Sequence, residues 1–274
     1  MMNTPPSRRA APPLWNRALS RFVAAYPSIR GQTRLRRVTS PWLVGRLPCG
    51  AWTRVSGLVD AEWTFLRGAH KEDITENRIK SLLHPGSVFV DVGANVGYFT
   101  LLASTLGARV IAYEPTPSVF ARLKENVALN NLEDVQLVNS AVMDKPGVLS
   151  LHISADDPEA NSLFGNESQS VQVPAVTLDD DLNARGIDHV DLLKIDAEGA
   201  ESFVLDGATR LLTSPRPPVV IVEVNAFTLN SAGLQPSDIL ARLEAHGYRH
   251  TEIESGIYKG SYCGNVLATP ASLA

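Results

Sequence analysis

The sequence predicts an α/β fold: a doubly wound, mostly parallel sheet with helices on both faces. Three observations carry this. From residue 72 onward, strand-like and helix-like segments alternate, as in chains built from βαβ units. Three of the strands, "VFVDV", "VDLLKID" and "VVIVEV", are almost unbroken apolar runs closed by or carrying an acid, as in strands buried on both faces. The last two strands, "YRHTEIE" and "GNVLATP", have no helix between them, which predicts an antiparallel hairpin at one edge.

The elements follow in order. Residues 1–41 form a basic arm, partly disordered or helical. Within it "PLWNRALSRFVAAY" (Pro13 to Tyr26) spaces apolar residues as a short amphipathic helix does. Residues 42–71 are rich in Trp, Val and Leu broken by Gly and Pro, and predict short strands or a ribbon on the substrate side. Residues 72–274 are the α/β domain. Its first helix, "EDITENRIKSLLHPG", has Asp73 and Glu76 at capping-box spacing and ends at Pro85-Gly86. Then come strand "SVFVDVG", helix "GYFTLLASTLG", strand "RVIAYEP" and a helix capped by Thr116 with Pro117 at its first position. Strand "VQLVNSAV", a hairpin-like "GVLSLHIS", strand "VDLLKIDAEG", helix "AESFVLDGATRLL", strand "PVVIVEVN" and helix "PSDILARLEAHG" lead to the final pair.

Charge is unevenly placed. Residues 1–46 hold nine Arg and no acid, which leaves 16 basic and all 29 acidic residues to the rest, a net of −13 against −4 for the chain. A basic arm of this kind suits an anionic partner or surface, although it contains no defined nucleic-acid motif. Cys49 and Cys263, the two cysteines, have neither disulfide-framework nor zinc-site spacing, and no metal site is expected. No apolar run reaches membrane-spanning length and the start lacks a signal core, so the expected location is cytoplasmic.

In open α/β sheets ligands sit at the carboxyl ends of the strands. Here those ends carry Asp91, Glu114, Ser140, Asp196 and Glu223. Gly93, Asn95 and Gly97 form the first turn, where glycine lets the backbone bend tightly and approach a ligand. Glu114 follows Gly93 at the spacing of an acid that accepts from ribose hydroxyls. The turn reads GxNxG rather than GxGxxG, and Asp91 just before it repels phosphate and welcomes a cation. An adenosine bearing a positive charge and no phosphate satisfies both, and S-adenosylmethionine is such a molecule. A nicotinamide dinucleotide fits poorly.

"FVDVGANVGYFT", "YEPTP", "NSAV", "VTLDD", "LLKIDAEGAE" and "VVIVEVN", in this order over roughly residues 70–268, resemble the FkbM family of S-adenosylmethionine-dependent methyltransferases. The resemblance implies a Rossmann-like class I methyltransferase sheet of seven strands with the last antiparallel. It also implies methylation of a hydroxyl on a sugar, glycolipid or natural-product scaffold. Amine or carboxyl methylation, or a binding protein that keeps the fold without catalysis, are the alternatives. Carried over by position, Asp91, Gly93, Asn95 and Gly97 line the methionine part of the cofactor, with Ala94, Tyr98 and Phe99 beside them. Glu114 and Pro115 hold the ribose, and Ser140 and Ala141 sit beside the adenine. Asp196 stands next to the transferring methyl, followed by Glu198, and Glu72 matches a further family acid. Deprotonating an acceptor hydroxyl needs a base, for which Asp196, His152, Glu223 and Glu198 are candidates.

Overall fold

The computed structural model describes residues 44–54, 72–154, 161–165 and 169–273. The expected arm with its helix at 13–26, residues 55–71 of the ribbon segment and the first half of the 156–165 loop lie outside them. The described residues fall into two units, 44–54 with 125–133, and the remainder.

In the first unit, β1 (Val44–Arg46) and β2 (Trp52–Arg54) pair antiparallel. Two asparagine side chains satisfy the main chain of β2. Trp52 N–H donates to Asn130 Oδ1 at 2.7 Å, the Asn130 amide returns a bond to the Trp52 carbonyl at 2.6 Å, and Arg54 N–H donates to Asn126 Oδ1 at 2.8 Å. An amide has both a donor and an acceptor, so one side chain can complete a strand edge as a neighbouring strand would.

The second unit opens with α1 (Asp73–Leu82), β3 (Val88–Val92), α2 (Tyr98–Thr105), β4 (Arg109–Tyr113), α3 (Pro117–Leu129) and β5 (Val135–Val138). A smaller group follows: β6 (Ala141–Val142), β7 (Gly147–His152), β8 (Ser170–Val176) and α4 (Leu178–Ala184). The chain then runs through β9 (Leu192–Ile195), α5 (Glu201–Asp206), α6 (Thr209–Leu212), β10 (Val219–Asn225), α7 (Ala226–Ser231), α8 (Pro236–Ala245), β11 (Tyr248–Tyr258) and β12 (Ser261–Pro270).

Seven strands form one sheet in the order β11-β12-β10-β9-β3-β4-β5. Only β12 runs against its neighbours. The expected hairpin is therefore present, with β12 inserted between β10 and the edge strand β11. β3 lies in the middle of the order with all five residues buried, as its apolar composition requires. β6, β8 and β7 make a separate three-stranded sheet.

Four local expectations are corrected. Asp73 and Glu76 form no capping box. Glu76 instead accepts from Tyr98 Oη at 2.5 Å and pairs with Lys80, and the helix start is capped from β11: Glu254 accepts from the Thr75 hydroxyl at 2.8 Å and from Thr75 N–H at 3.3 Å. "VQLVNSAV" splits, with its first part in the large sheet and Ala141–Val142 in the small one. "AESFVLDGATRLL" is two helices. A Cβ on Gly207 would lie 2.0 Å from the Met143 carbonyl oxygen, and Asp179 caps the second piece by accepting from Arg210 and Leu211 N–H at 2.7 and 2.9 Å. The fourth correction concerns α7, absent from the sequence reading, which starts directly off β10 because Asn225 accepts from Phe227 N–H.

Candidate active site

A cavity opens at the carboxyl ends of β3, β4 and β9, with a volume of about 100 Å³ traced by the centre of a water-sized sphere. The strand order puts Glu114, after β4, and Asp196, after β9, on either side of β3. Both line the cavity, together with Gly93, Asn95, Pro115, Ser140, Ala141 and Glu198. Of the residues named from sequence, these are brought together.

Glu114 is held by the main chain. Its carboxylate accepts from Asn95 N–H at 3.0 Å and from Thr116 N–H at 2.8 Å. Burial pushes its pKa up to about 7, against those N–H bonds, which favour the charged form. Asn95 itself is in the left-handed region (φ 51°), which asparagine tolerates better than most residues and which turns its N–H toward Glu114. From the "NSAV" segment, Asn139 donates to the carbonyls of Glu114 and Pro115 at 2.8 and 3.0 Å, fixing the loop from the other side.

The glycines of the turn serve a different purpose from the one expected. A Cβ on Gly93 would lie 1.7 Å from the Asp196 carbonyl oxygen, and one on Gly97 would lie 2.5 Å from Leu123 Cδ1. Protein, not ligand, fills the space those side chains would need. Gly93 still lines the cavity with its backbone, and its N–H and that of Ala94 both donate to the Tyr113 carbonyl.

The "KIDAEGAE" segment folds as a tight turn. Glu198 has φ 50° and Gly199 φ 100°, and Glu201 reaches back to accept from the N–H groups of Ala197 and Gly199 at 2.9 and 3.1 Å. A Cβ on Gly199 would meet the Thr228 carbonyl oxygen at 2.8 Å. Glu201 is therefore the brace of the turn; burial pushes its pKa to about 7. The Ser162 hydroxyl donates to the Glu198 carbonyl at 2.8 Å and ties the turn to the segment that supplies Asn161 and Leu163 to the cavity.

Other expected residues stand away from the lining. Asp91 was expected beside the methionine part of the cofactor; it is 1 % exposed, accepts from the Thr100 hydroxyl at 2.7 Å, and lies opposite Lys194 in the sheet register. Burial raises its pKa, opposed by Lys194. The Phe99 ring lies 4.9 Å from Lys194 Nζ, and Tyr98 bonds Glu76. Ala94 and Gly97 shape the turn without lining the cavity. Glu72, ahead of α1, faces Asn265 and has its pKa pushed to about 7, first by burial. Glu223 on β10 accepts from the Cys263 thiol at 3.3 Å; burial, then Asp196 and Glu201, raise it well above the usual carboxylate range. His152 ends β7, its main chain bridged to Ser162, and is also outside the lining. Sequence reasoning missed Val119, Val142, Leu151, Leu163 and Asn161, which do line it.

The profile of the Methyltransferase FkbM domain matches residues 91–250. The chain belongs to the FkbM methyltransferase family. It is an S-adenosylmethionine-dependent methyltransferase. Among FkbM-family relatives it is 28% identical over 219 residues to the 31-O-demethyl-FK506 methyltransferase FkbM of Streptomyces tacrolimicus, covering 68% of this chain and 82% of that protein. It is 30% identical to the 2-O-methyltransferase NoeI of Sinorhizobium fredii, covering 51% of this chain and 65% of that one. It is also 30% identical to the hexuronic acid methyltransferase AglP of Haloferax volcanii, over 61% of this chain and 64% of that one.

The lining fits the FkbM-family methyl donor. A carboxylate has about four acceptor positions, and the two that Glu114 does not give to N–H groups match a pair of ribose hydroxyls. Val119, Val142, Leu151 and Leu163 supply apolar surface for an adenine. Asp196 and Glu198 add two carboxyl groups to the lining, the kind of group that suits a cationic ligand.

Proposed function

We propose that this protein transfers a methyl group to a hydroxyl on a sugar, glycolipid or natural-product scaffold. The observation that carries the reading is the cavity bounded by Glu114 and Asp196 in a chain of this family. The named activities of the relatives, on a macrolide 31-O position and a 2-O position, support oxygen as the acceptor atom.

When bound, S-adenosylmethionine supplies a methyl group already activated by its sulfonium. The protein's work is then alignment and removal of one proton. Glu114 and its two N–H donors fix the ribose; the apolar wall excludes water from the adenine. Asp196 lines the cavity, whereas His152 and Glu223 do not, so Asp196 is the preferred base for the acceptor proton. Burial, with Asp196 and Glu201 nearby, raises the Glu223 pKa, which favours its protonated form. Residues 1–41 are proposed to touch an anionic partner or surface and 42–71 to border the acceptor. Among the described residues no helix is long and apolar enough to cross a membrane, which agrees with the proposed cytoplasmic location.

Equilibrium binding of labelled S-adenosylmethionine tests the donor; no binding at high micromolar concentration overturns the reading. For the acceptor, a product that gains one methyl and keeps it through alkaline hydrolysis supports an ether. Loss of the methyl under alkali marks a carboxyl ester instead.

A further inference from the structure

Lys194 has no part in the reading above, yet it occupies the centre of the site's framework. It is 2 % exposed, with its Nζ 4.9 Å from the centroid of the Phe99 ring on α2 and 3.0 Å from Asp196 Oδ2. Asp91 faces it from β3 and Glu72 from ahead of α1. Burial alone works against a charged ammonium, but Asp196, Asp91 and Glu72 outweigh it and hold Lys194 protonated beyond the ordinary lysine range. An apolar side chain of similar length would fill the same space without the cost of desolvating a cation.

Of the three carboxylates that share this ammonium, Asp196 alone lines the cavity. Its Oδ2 is bound to Lys194. Its side chain stays 29% exposed, and among the described residues its Oδ1 accepts no hydrogen bond. The ammonium therefore takes one oxygen of Asp196 and leaves the other to the cavity. The remaining groups that face Asp196 are acids or a thiol: Glu201, Glu223 and Cys263 join Asp91 and Glu72, so Lys194 is the cation that balances them among the described residues.

We propose that Lys194 is a positioning residue that fixes Asp196 as an anion with one oxygen turned into the cavity, so that the site prefers the cationic methyl donor over the demethylated product, whose sulfur is uncharged. The inference rests on the cavity being the methyl-donor site. Without the ammonium, the buried Asp91 and the partly exposed Glu72 and Asp196 have no cation to share and cannot all stay charged. Asp196 then loses the contact that fixes its rotamer, and its charge is repelled by Asp91 and Glu72 with no cation between them.

The test is calorimetric binding of S-adenosylmethionine and S-adenosylhomocysteine to the full chain, from about pH 6 to about pH 8.5. The readout is the ratio of the two affinities, in which shared ribose and adenine contributions cancel. Lys194→Met is expected to lower the donor's advantage about tenfold at the acidic end, with partial recovery as pH rises, and to change product affinity by less than about threefold. Asp196→Asn, which keeps an oxygen acceptor for Lys194, should lose the same advantage at every pH. If Lys194→Met fails to fold, Lys194→Met with Asp91→Asn keeps the buried charge balanced and should show the same ratio. An unchanged ratio in a folded Lys194 variant overturns the proposal, as does an equal loss for both ligands, which is what a purely structural role predicts. A wild-type protein that binds neither ligand overturns the cavity reading, and this inference with it.

Discussion

The cavity has a carboxylate on each side of β3, and the two are held in opposite ways. Glu114 is fixed by two main-chain N–H groups, with no cation bonded to it among the described residues, and titrates near neutrality because burial raises its pKa. Asp196 is fixed by a buried ammonium at 3.0 Å. The difference matches what each side has to bind. Neutral hydroxyls need acceptors in a set geometry, and a carboxylate held by rigid N–H groups provides them without a neighbouring cation. A sulfonium needs a lasting negative charge, and a fixed cation behind the carboxylate preserves that charge when solvent is excluded. On the proposed reading, the same side-chain chemistry serves two guests because its anchoring differs.

Gly93 joins the two sides, and breaking it should have the largest effect. Its N–H bonds the Tyr113 carbonyl next to Glu114, while its missing Cβ makes room for the Asp196 carbonyl. Gly93→Ala would place a carbon 1.7 Å from that oxygen at a φ of +80°, and both partners are main chain. The strand ends must separate. A destabilisation of about 3 kcal/mol or more is expected, lowering the melting temperature by about 10 °C, with donor binding lost in calorimetry.

Glu114→Gln breaks one side only. The amide cannot accept from both Asn95 and Thr116, because its nitrogen faces a donor. One buried N–H loses its partner and the ribose hydroxyls lose an acceptor, together about 2–3 kcal/mol. Donor and product affinity should both fall by about 30- to 150-fold. This equal loss is the opposite of the selective loss expected on the Lys194 side, so the pair of variants separates the two modes of anchoring.

Much of this was legible in the sequence, for reasons visible in particular residues. Apolar runs closed by acids placed the parallel strands, and period-two alternation put Lys194 and Asp196 on one side of β9. Glu114 was legible from its distance after the turn. The reason for the glycines was not, because the neighbours that demand them, Asp196 and Leu123, are far away in sequence. Nor was the cap on α1, since Glu254 comes from a strand some 180 residues later, at a register shift in β11. The apolar wall was hidden too: Leu151 and Leu163 read like any hairpin residues until the small sheet brings them to the cavity. Asn139 and Glu201 lay inside quoted motifs, but their bonds go to backbone groups, which no spacing rule reveals.

The contrast also has a pH signature. Burial lifts Glu114, Glu72 and Glu201 to about 7 from the ordinary 4.5. A folded state that holds protons more tightly than the unfolded chain loses stability as pH rises. The stabilisation is complete below about pH 4.5 and fades through about pH 7. The ligand-free protein should therefore melt several degrees lower at about pH 8 than at about pH 5. Glu114→Gln should flatten the slope by its share, measured by calorimetric melting across the range.

The smallest expected effect tests the wall beyond Glu114. Leu163 lines the cavity and packs, with Phe164 and Phe203, against the core of the small sheet. Leu163→Ala removes apolar surface from the proposed adenine face but leaves Glu114, Asp196 and their anchors in place. Burial of a side chain this size is worth about 0.7–1.4 kcal/mol when only part of it meets the ligand. Adenosine, which carries the ribose and adenine without sulfur or charge, isolates the contribution. Its affinity should fall by about three- to tenfold, while the ratio of donor to product affinity stays at the wild-type value. A change in that ratio would mean that the wall and the Asp196 side are coupled, and that the two anchoring modes do not act independently.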